Sequence, residues 1–219
     1  MGRLVAALFF LAFMPGAVVR GQESAAQEPY SFQTETARLR ELIADPKSGP
    51  QQKHDLLAEL AGLLRLAGDN EGAAEAWKEA AEAVPGERDD RALLEMTVCL
   101  MAIGEWETAA QAARLVLLTS RNAPGIVLRA KYLTAQIEAF TRGDTVALEL
   151  YLDDPDYASL KPAIYYTLYI ITRNETYKSR LIAEYPAGPE TRLLTDDTTP
   201  FPGAMWLLYP GRESITILR

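Results

Sequence analysis

The residue types that most often carry chemistry are scarce in this 219-residue sequence, which has one histidine, His54, and one cysteine, Cys99. Zinc sites use several Cys, His or carboxylate ligands, and nucleophilic triads need a histidine beside the nucleophile. No second histidine, paired cysteine, Gly-rich phosphate loop or G-x-S-x-G motif is present. We therefore expect His54 to be a solvated residue near a helix start and Cys99 to be a buried, unreactive thiol.

Pairs of aspartates are the remaining candidates for chemistry. These pairs are typical of loops and of helix N-caps, where carboxylates accept hydrogen bonds from free backbone N–H groups, and they are Asp89 with Asp90, Asp153 with Asp154, and Asp196 with Asp197. Asp153, Asp154 and Asp156 offer only part of the oxygen set that calcium needs. The sequence thus predicts a protein without catalytic residues, metal or cofactor. A hydrolase with carboxylates assembled from distant acids is the less favoured alternative.

The charge balance of the chain disfavours nucleic acid as a partner. The chain has 22 Lys and Arg against 30 Asp and Glu, a net charge of −8. Binding to nucleic acid needs clustered positive charge against the phosphates, so a nucleic-acid binder is disfavoured. Apolar residues make up 48% of the chain, which is typical of a folded globular protein.

The first 21 residues have the layout of a secretory signal peptide. Arg3 precedes an apolar run of 11 residues, 4–14, and Pro15 and Gly16 interrupt it before a stretch of small residues. That run is shorter than the about 20 residues needed to span a bilayer, although a retained N-terminal anchor is the alternative. Removing residues 1–21 would change the net charge from −8 to −10. We expect an exported protein, periplasmic or envelope-associated, with a flexible leader over 22–33 and no stable membrane span.

The body of the chain, residues 34–186, has helical periodicity and little strand signal. Thr34 is a candidate N-cap for the first helix. Three helix pairs follow, and the first helices of these pairs end at Gly68, Gly104 and Gly143, which lie 36 and 39 residues apart. A two-helix unit repeated at this spacing indicates a solenoid, because a single pair cannot bury its own apolar face.

The first pair resembles the tetratricopeptide repeat over its whole length. Large and small residues fall at that family's packing positions, namely Leu57, Leu60, Ala61, Leu64, Gly68, Ala73, Trp77, Ala80 and Pro85. The second pair matches at Leu93, Met96, Leu100, Gly104, Ala109 and Ala113, and the third at Tyr132, Ala135, Ala139 and Gly143. The third pair departs where Ala147 sits one residue early. The resemblance covers roughly residues 50–153.

This resemblance implies an all-α fold, a right-handed α-solenoid of stacked antiparallel helix pairs. It also implies that Trp77 and Ala61 are packing residues, and that the first helix of each pair lines a concave groove. By register, that groove contains Ala58, Gly62, Arg65, Leu66, Arg91, Leu94, Val98, Met101, Leu133, Ile137 and Phe140. This lining is mostly apolar, with arginine at one edge.

Residues 155–186 suit a fourth, divergent helix pair, with Asn174 as the N-cap of its second helix. Tyr165, Tyr166 and Tyr169 are expected to be core aromatics. From residue 187 the chain becomes rich in Pro and Gly. We expect an irregular tail over 187–219, with a short strand near Ile215 and Ile217.

The function predicted from these features is non-enzymatic. The protein would be an interaction scaffold in the cell envelope that binds a segment of another protein through the groove. The alternative occupants of the groove are the fourth helical region and this chain's own tail, including Trp206 and Leu207. A structural subunit whose C-terminal tail pairs with a partner is the other interpretation, and an oligomer is compatible with both.

Overall fold

The structure, a computed structural model, describes residues 31–120 and 123–195, and every regular element in these two ranges is a helix. In chain order these are α1 (Phe32–Ala44), α2 (Pro50–Leu66), α3 (Asn70–Glu82), α4 (Asp90–Ala102), α5 (Trp106–Thr119), α6 (Pro124–Arg142), α7 (Val146–Tyr151), a 3-10 helix (Pro155–Leu160), α8 (Lys161–Thr172), α9 (Glu175–Glu184) and α10 (Pro189–Thr195). The all-α prediction is confirmed for this part of the chain.

The helices pack in consecutive pairs. Helix α2 packs on α3, α4 on α5, and α8 on α9, and the second helix of one pair packs on the first helix of the next, as α3 does on α4 and α5 on α6. The first helices α4 and α6 also contact each other directly. Each inner pair therefore buries its apolar face against neighbours on both sides.

Glycines end three of these first helices, as the sequence predicts. Gly68, Gly104 and Gly143 have φ values of 85°, 83° and 71°. A side chain would be strained in this left-handed conformation, so glycine allows the chain to reverse within two or three residues.

Side-chain caps mark several helix starts. The Asn174 side chain accepts a hydrogen bond from the backbone N–H of Thr176, so its predicted capping role is confirmed. Asp89 caps α4 and Asp154 caps the 3-10 helix in the same manner, as expected for the aspartate pairs. The Thr34 prediction is wrong, because α1 already begins at Phe32 and places Thr34 inside its first turn.

The described helices share two buried apolar clusters that meet in α6. Leu133 and Ile137 point into the first cluster, which is built mainly from α2 to α5, while Tyr132 and Ala135 belong to the second, built from α7 to α10. Two faces of one helix are thus buried in different clusters. Of the predicted packing residues, Ala61 is fully buried, and Trp77 is half-buried against the first cluster.

The C-terminal end of the described chain differs from the predicted irregular tail. Helix α10 packs on α8 and α9, and Thr191 in it donates a hydrogen bond from Oγ1 to the backbone oxygen of Tyr185 at 2.7 Å. Tyr165 and Tyr166 are buried as predicted, and Tyr169 is half-buried. The predicted signal peptide, residues 22–30 of the predicted leader and the strand near Ile215 lie outside the described residues, whereas Phe32 and Gln33 of that leader belong to α1. Among the helices that are described, none has the length and apolarity to cross a bilayer.

Candidate functional site

The predicted groove residues of the first pair lie on an accessible part of α2. Ala58, Gly62 and Arg65 are half-buried, and Leu66 is 81% exposed. A Cβ built at Gly62 would meet no atom within 4 Å, so the surface beside this glycine is open. Here α2 can be approached by a partner.

The apolar groove residues of the second and third pairs lie elsewhere. Leu94, Val98, Met101, Leu133 and Ile137 are buried in the first apolar cluster, and Leu94 is only 1% exposed. The physical reason is that α4 and α6 pack on each other and on α5 between them in sequence, which leaves these side chains little free surface. In the described structure they contribute to the core, and partner binding by them stays a prediction.

Two predicted groove residues on α4 and α6 keep some access to solvent. Arg91 is exposed in the first turn of α4. Phe140 is half-buried and stacks on Trp106, with ring centroids 5.9 Å apart. The accessible remainder of the predicted set is therefore more basic and less apolar than the sequence indicates.

Three charged side chains join the first helices of successive pairs. Glu95 on α4 accepts from Arg65 of α2 at 2.6 Å through Oε2, and it pairs with Arg129 of α6 at 2.7 Å through Oε1. We call this set the Arg–Glu–Arg bridge. All three side chains are partly exposed. The bridge therefore lies on the solvent side of the first-helix layer and carries a net charge of +1.

The sequence prediction included Arg65 but missed Glu95 and Arg129. These residues occupy unrelated positions within their repeats, so periodicity does not group them. One signal was available, because Glu95 is the sole charged residue of α4 after its first turn, in a helix of otherwise apolar and small residues. A lone charge on such a helix needs a partner from a neighbouring element.

His54 makes two contacts that the sequence prediction did not foresee. Its Nε2 lies 2.9 Å from Oδ2 of Asp89, and its Nδ1 lies 2.9 Å from Oδ1 of Asp55. The side chain is only 20% exposed, so the expectation of a solvated histidine is wrong. The reason is that the α3–α4 connection, 35 residues further along the chain, folds back over the first turns of α2.

The Cys99 thiol lies in the core of α4. Burial, opposed by Arg65 and assisted by Glu95, raises the pKa of this thiol to about 11. Cys99 is therefore a neutral thiol at physiological pH, and the expectation that this cysteine is buried is confirmed. In the ranges 31–120 and 123–195, no three His, Cys, Asp or Glu side chains are grouped so that they could hold a metal ion.

A surface cavity of about 380 Å³ lies between α5 and α6. Its walls include Trp106 and Ile137, together with Glu107, Arg114, Glu138 and Arg142 at charged positions. Two acids and two bases share the lining, so the cavity favours neither sign of ligand charge.

Comparison with known proteins gives one match. A protein-family model described as "middle domain" matches residues 134–217, which begin inside α6 and extend past α10 beyond the described part. The match spans less than half of the chain and leaves α1 to α5 uncovered. No curated protein and no solved structure matches the chain.

Proposed function

We propose that this chain is an exported, non-enzymatic scaffold whose helix pairs form a tetratricopeptide-like, right-handed solenoid. Consecutive pairing of the described helices supports this, as do the three left-handed glycines at matching ends of the first helices. Spacings of 36 and 39 residues between those glycines suit a two-helix repeat. Repeat proteins of this kind present an extended surface built from equivalent helices of neighbouring units.

The partner would bind across α2, α4 and α6. The observation that carries this proposal is the Arg–Glu–Arg bridge, which places Arg65 and Arg129 side by side on the solvent side of these three helices. Arg91 stands four residues before Glu95 and so lies on the same side of α4. The bridge and Arg91 thus bring three arginines and Glu95 to this part of the first-helix layer, on a chain whose net charge is −8.

The arginines on these three helices also indicate what kind of segment the partner would present. A segment rich in carboxylates would be repelled by most of this acidic protein and attracted to the arginines of α2, α4 and α6. The exposed Leu66 beside Arg65 offers an apolar contact at the end of the same face. The proposed ligand is therefore a partner segment that combines acidic and apolar side chains.

Binding of defined peptides tests this proposal. The probes are two fluorescent synthetic peptides of equal length, one alternating Glu with Leu and one alternating Lys with Leu. We expect the Glu peptide to bind the wild-type chain and the Lys peptide not to bind. The double substitution Arg65→Ala with Arg129→Ala should weaken Glu-peptide binding by about tenfold or more, since hydrogen bonds to charged groups contribute roughly 1.5–3 kcal/mol each.

Two single variants make this test specific. Glu95→Gln should strengthen binding of the Glu peptide, because it frees both arginines from their internal carboxylate. Arg114→Ala removes an exposed arginine from α5, a second helix, and should leave binding unchanged. Equal binding by the wild type and the double variant, at unchanged melting temperature, would discard this face as the binding surface.

Export is tested separately. We expect N-terminal sequencing of the protein from an envelope fraction to begin near Gln22 or Gln27, after removal of the leader that contains Arg3 and the apolar run. A protein found in the cytoplasm with Met1 intact would contradict export. It would leave the peptide-binding proposal to be judged on its own experiment.

A further inference from the structure

His54 connects two helices that belong to different pairs. It lies in the second turn of α2, and its partner Asp89 is the residue that caps α4. Asp89 uses its two oxygens separately, since Oδ2 faces His54 at 2.9 Å while Oδ1 accepts the backbone N–H of Arg91 at 2.8 Å. One carboxylate therefore holds both the start of α4 and the imidazole of α2.

The contacts of the imidazole define its protonation state. Carboxylate oxygens lie 2.9 Å from both ring nitrogens, Asp89 at Nε2 and Asp55 at Nδ1. A carboxylate only accepts hydrogen bonds, and a neutral imidazole has a single N–H to donate. The Gln51 amide, at 3.5 Å from Nδ1, is too distant to replace the Asp55 oxygen as the partner of that nitrogen, and it donates to the same Asp55 oxygen at 3.1 Å. Only the doubly protonated imidazolium satisfies both contacts.

We infer that His54 is a proton-dependent clasp between the first and second helix pairs, closed when the imidazole is charged and loosened when it is neutral. Loss of the ring proton leaves a nitrogen lone pair facing one of the two carboxylates. Repulsion there removes either the Asp55 contact or the link to Asp89. This inference does not rest on the proposed partner binding.

The charged groups around the imidazole favour the closed state. From α2 it is faced by Asp55, and from the α3–α4 connection by Glu87, Arg88 and Asp89, while the α3 residues beside it are apolar. Arg88 is itself engaged, because its Nε donates to Oδ1 of Asp90 at 2.8 Å and its Nη2 donates to Thr119. Carboxylates therefore outnumber cations around His54.

The direction of the pH effect follows from these contacts. Hydrogen bonds to Asp55 and then to Asp89 raise the pKa of His54 above its ordinary value of 6.5, against a smaller opposing effect of burial. A group with a raised folded-state pKa binds its proton more tightly in the folded chain. Its stabilising contribution is complete below the unfolded-state pKa and is lost as the pH rises through the folded-state pKa.

The first test follows the ring itself, in the full chain. His54 is the one histidine in the sequence, so the imidazole carbon-bound protons give a single NMR titration curve. We expect a midpoint above 6.5 for the wild type. Asp89→Asn should lower this midpoint, since it removes the carboxylate that faces Nε2. The variant should still cap α4, because Asn is as good an N-cap as Asp. Asp153→Asn, an exposed change in the other half of the chain, should not move it. A wild-type midpoint at or below 6.5, or one insensitive to Asp89→Asn, would overturn the inference.

The second test measures the clasp at the helix junction. Hydrogen exchange of the amides of residues 87–92 is compared between wild type and His54→Gln at each pH, which cancels the intrinsic effect of pH on exchange. At about pH 5.5, where the imidazole is charged, we expect severalfold faster exchange in the variant. At about pH 9 the difference between the two proteins should be smaller, because the neutral imidazole can keep only one of its two carboxylate contacts. A difference between the proteins that persists unchanged across this range contradicts a proton-dependent clasp.

Discussion

The substitution Leu94→Ala should lower the free energy of unfolding by about 2–5 kcal/mol, the range for deleting a fully buried leucine side chain. Leu94 is 1% exposed and belongs to the apolar cluster of α2 to α5, so its removal leaves a cavity that the surrounding helices can close only in part. The measurement is equilibrium urea unfolding, followed by circular dichroism at 222 nm.

Leu66→Ala is the matched control. It makes the same chemical change at a residue that is 81% exposed, so its expected effect on stability is within about 0.5 kcal/mol. Both positions were predicted to line one groove, and the pair therefore separates core packing from surface exposure. If Leu94→Ala unfolds at the wild-type urea concentration, Leu94 is an accessible groove residue and the close packing of α4 on α6 is wrong.

The second large effect is expected at Trp77. Its side chain is half-buried on α3 and packs against the same apolar cluster. Trp77→Ala should cost about 3 kcal/mol, the lower end of the range for truncating a large aromatic side chain, because part of the ring already faces solvent. Urea unfolding at constant pH gives this difference.

Trp77→Phe tests how much of this effect depends on the full indole ring and its N–H. Nε1 of Trp77 is buried and has no hydrogen-bond partner, which is a cost in the wild-type protein. Phenylalanine keeps most of the aromatic contact and removes that donor, so we expect the variant to lie within about 1 kcal/mol of wild type. A loss as large as that of Trp77→Ala would mean that the full indole makes a stabilising contact that phenylalanine does not replace.

The sequence by itself determined the local architecture. Gly68, Gly104 and Gly143 predicted the ends of three helices, and Asn174 predicted the start of another. These features depend on backbone conformation and on hydrogen bonds between near neighbours, which neighbouring residues dictate. Burial of Ala61 was predictable for a related reason, since the spacing of small and large residues identifies the face of a helix that must be packed.

The tertiary structure decided what covers each face. Periodicity indicated that Leu94 and Ile137 share an apolar side of their helices, but it could not distinguish an open groove from a seam closed by a neighbouring helix. The contacts of Glu95 with Arg65 and Arg129, and of His54 with Asp89, join residues 30 to 35 positions apart. Such contacts depend on how successive helix pairs stack, and the spacing of residues along the sequence does not specify that stacking. The Arg–Glu–Arg bridge and the contact between His54 and Asp89 are therefore properties of the packed structure, while the helix pairs that carry them are properties of the sequence.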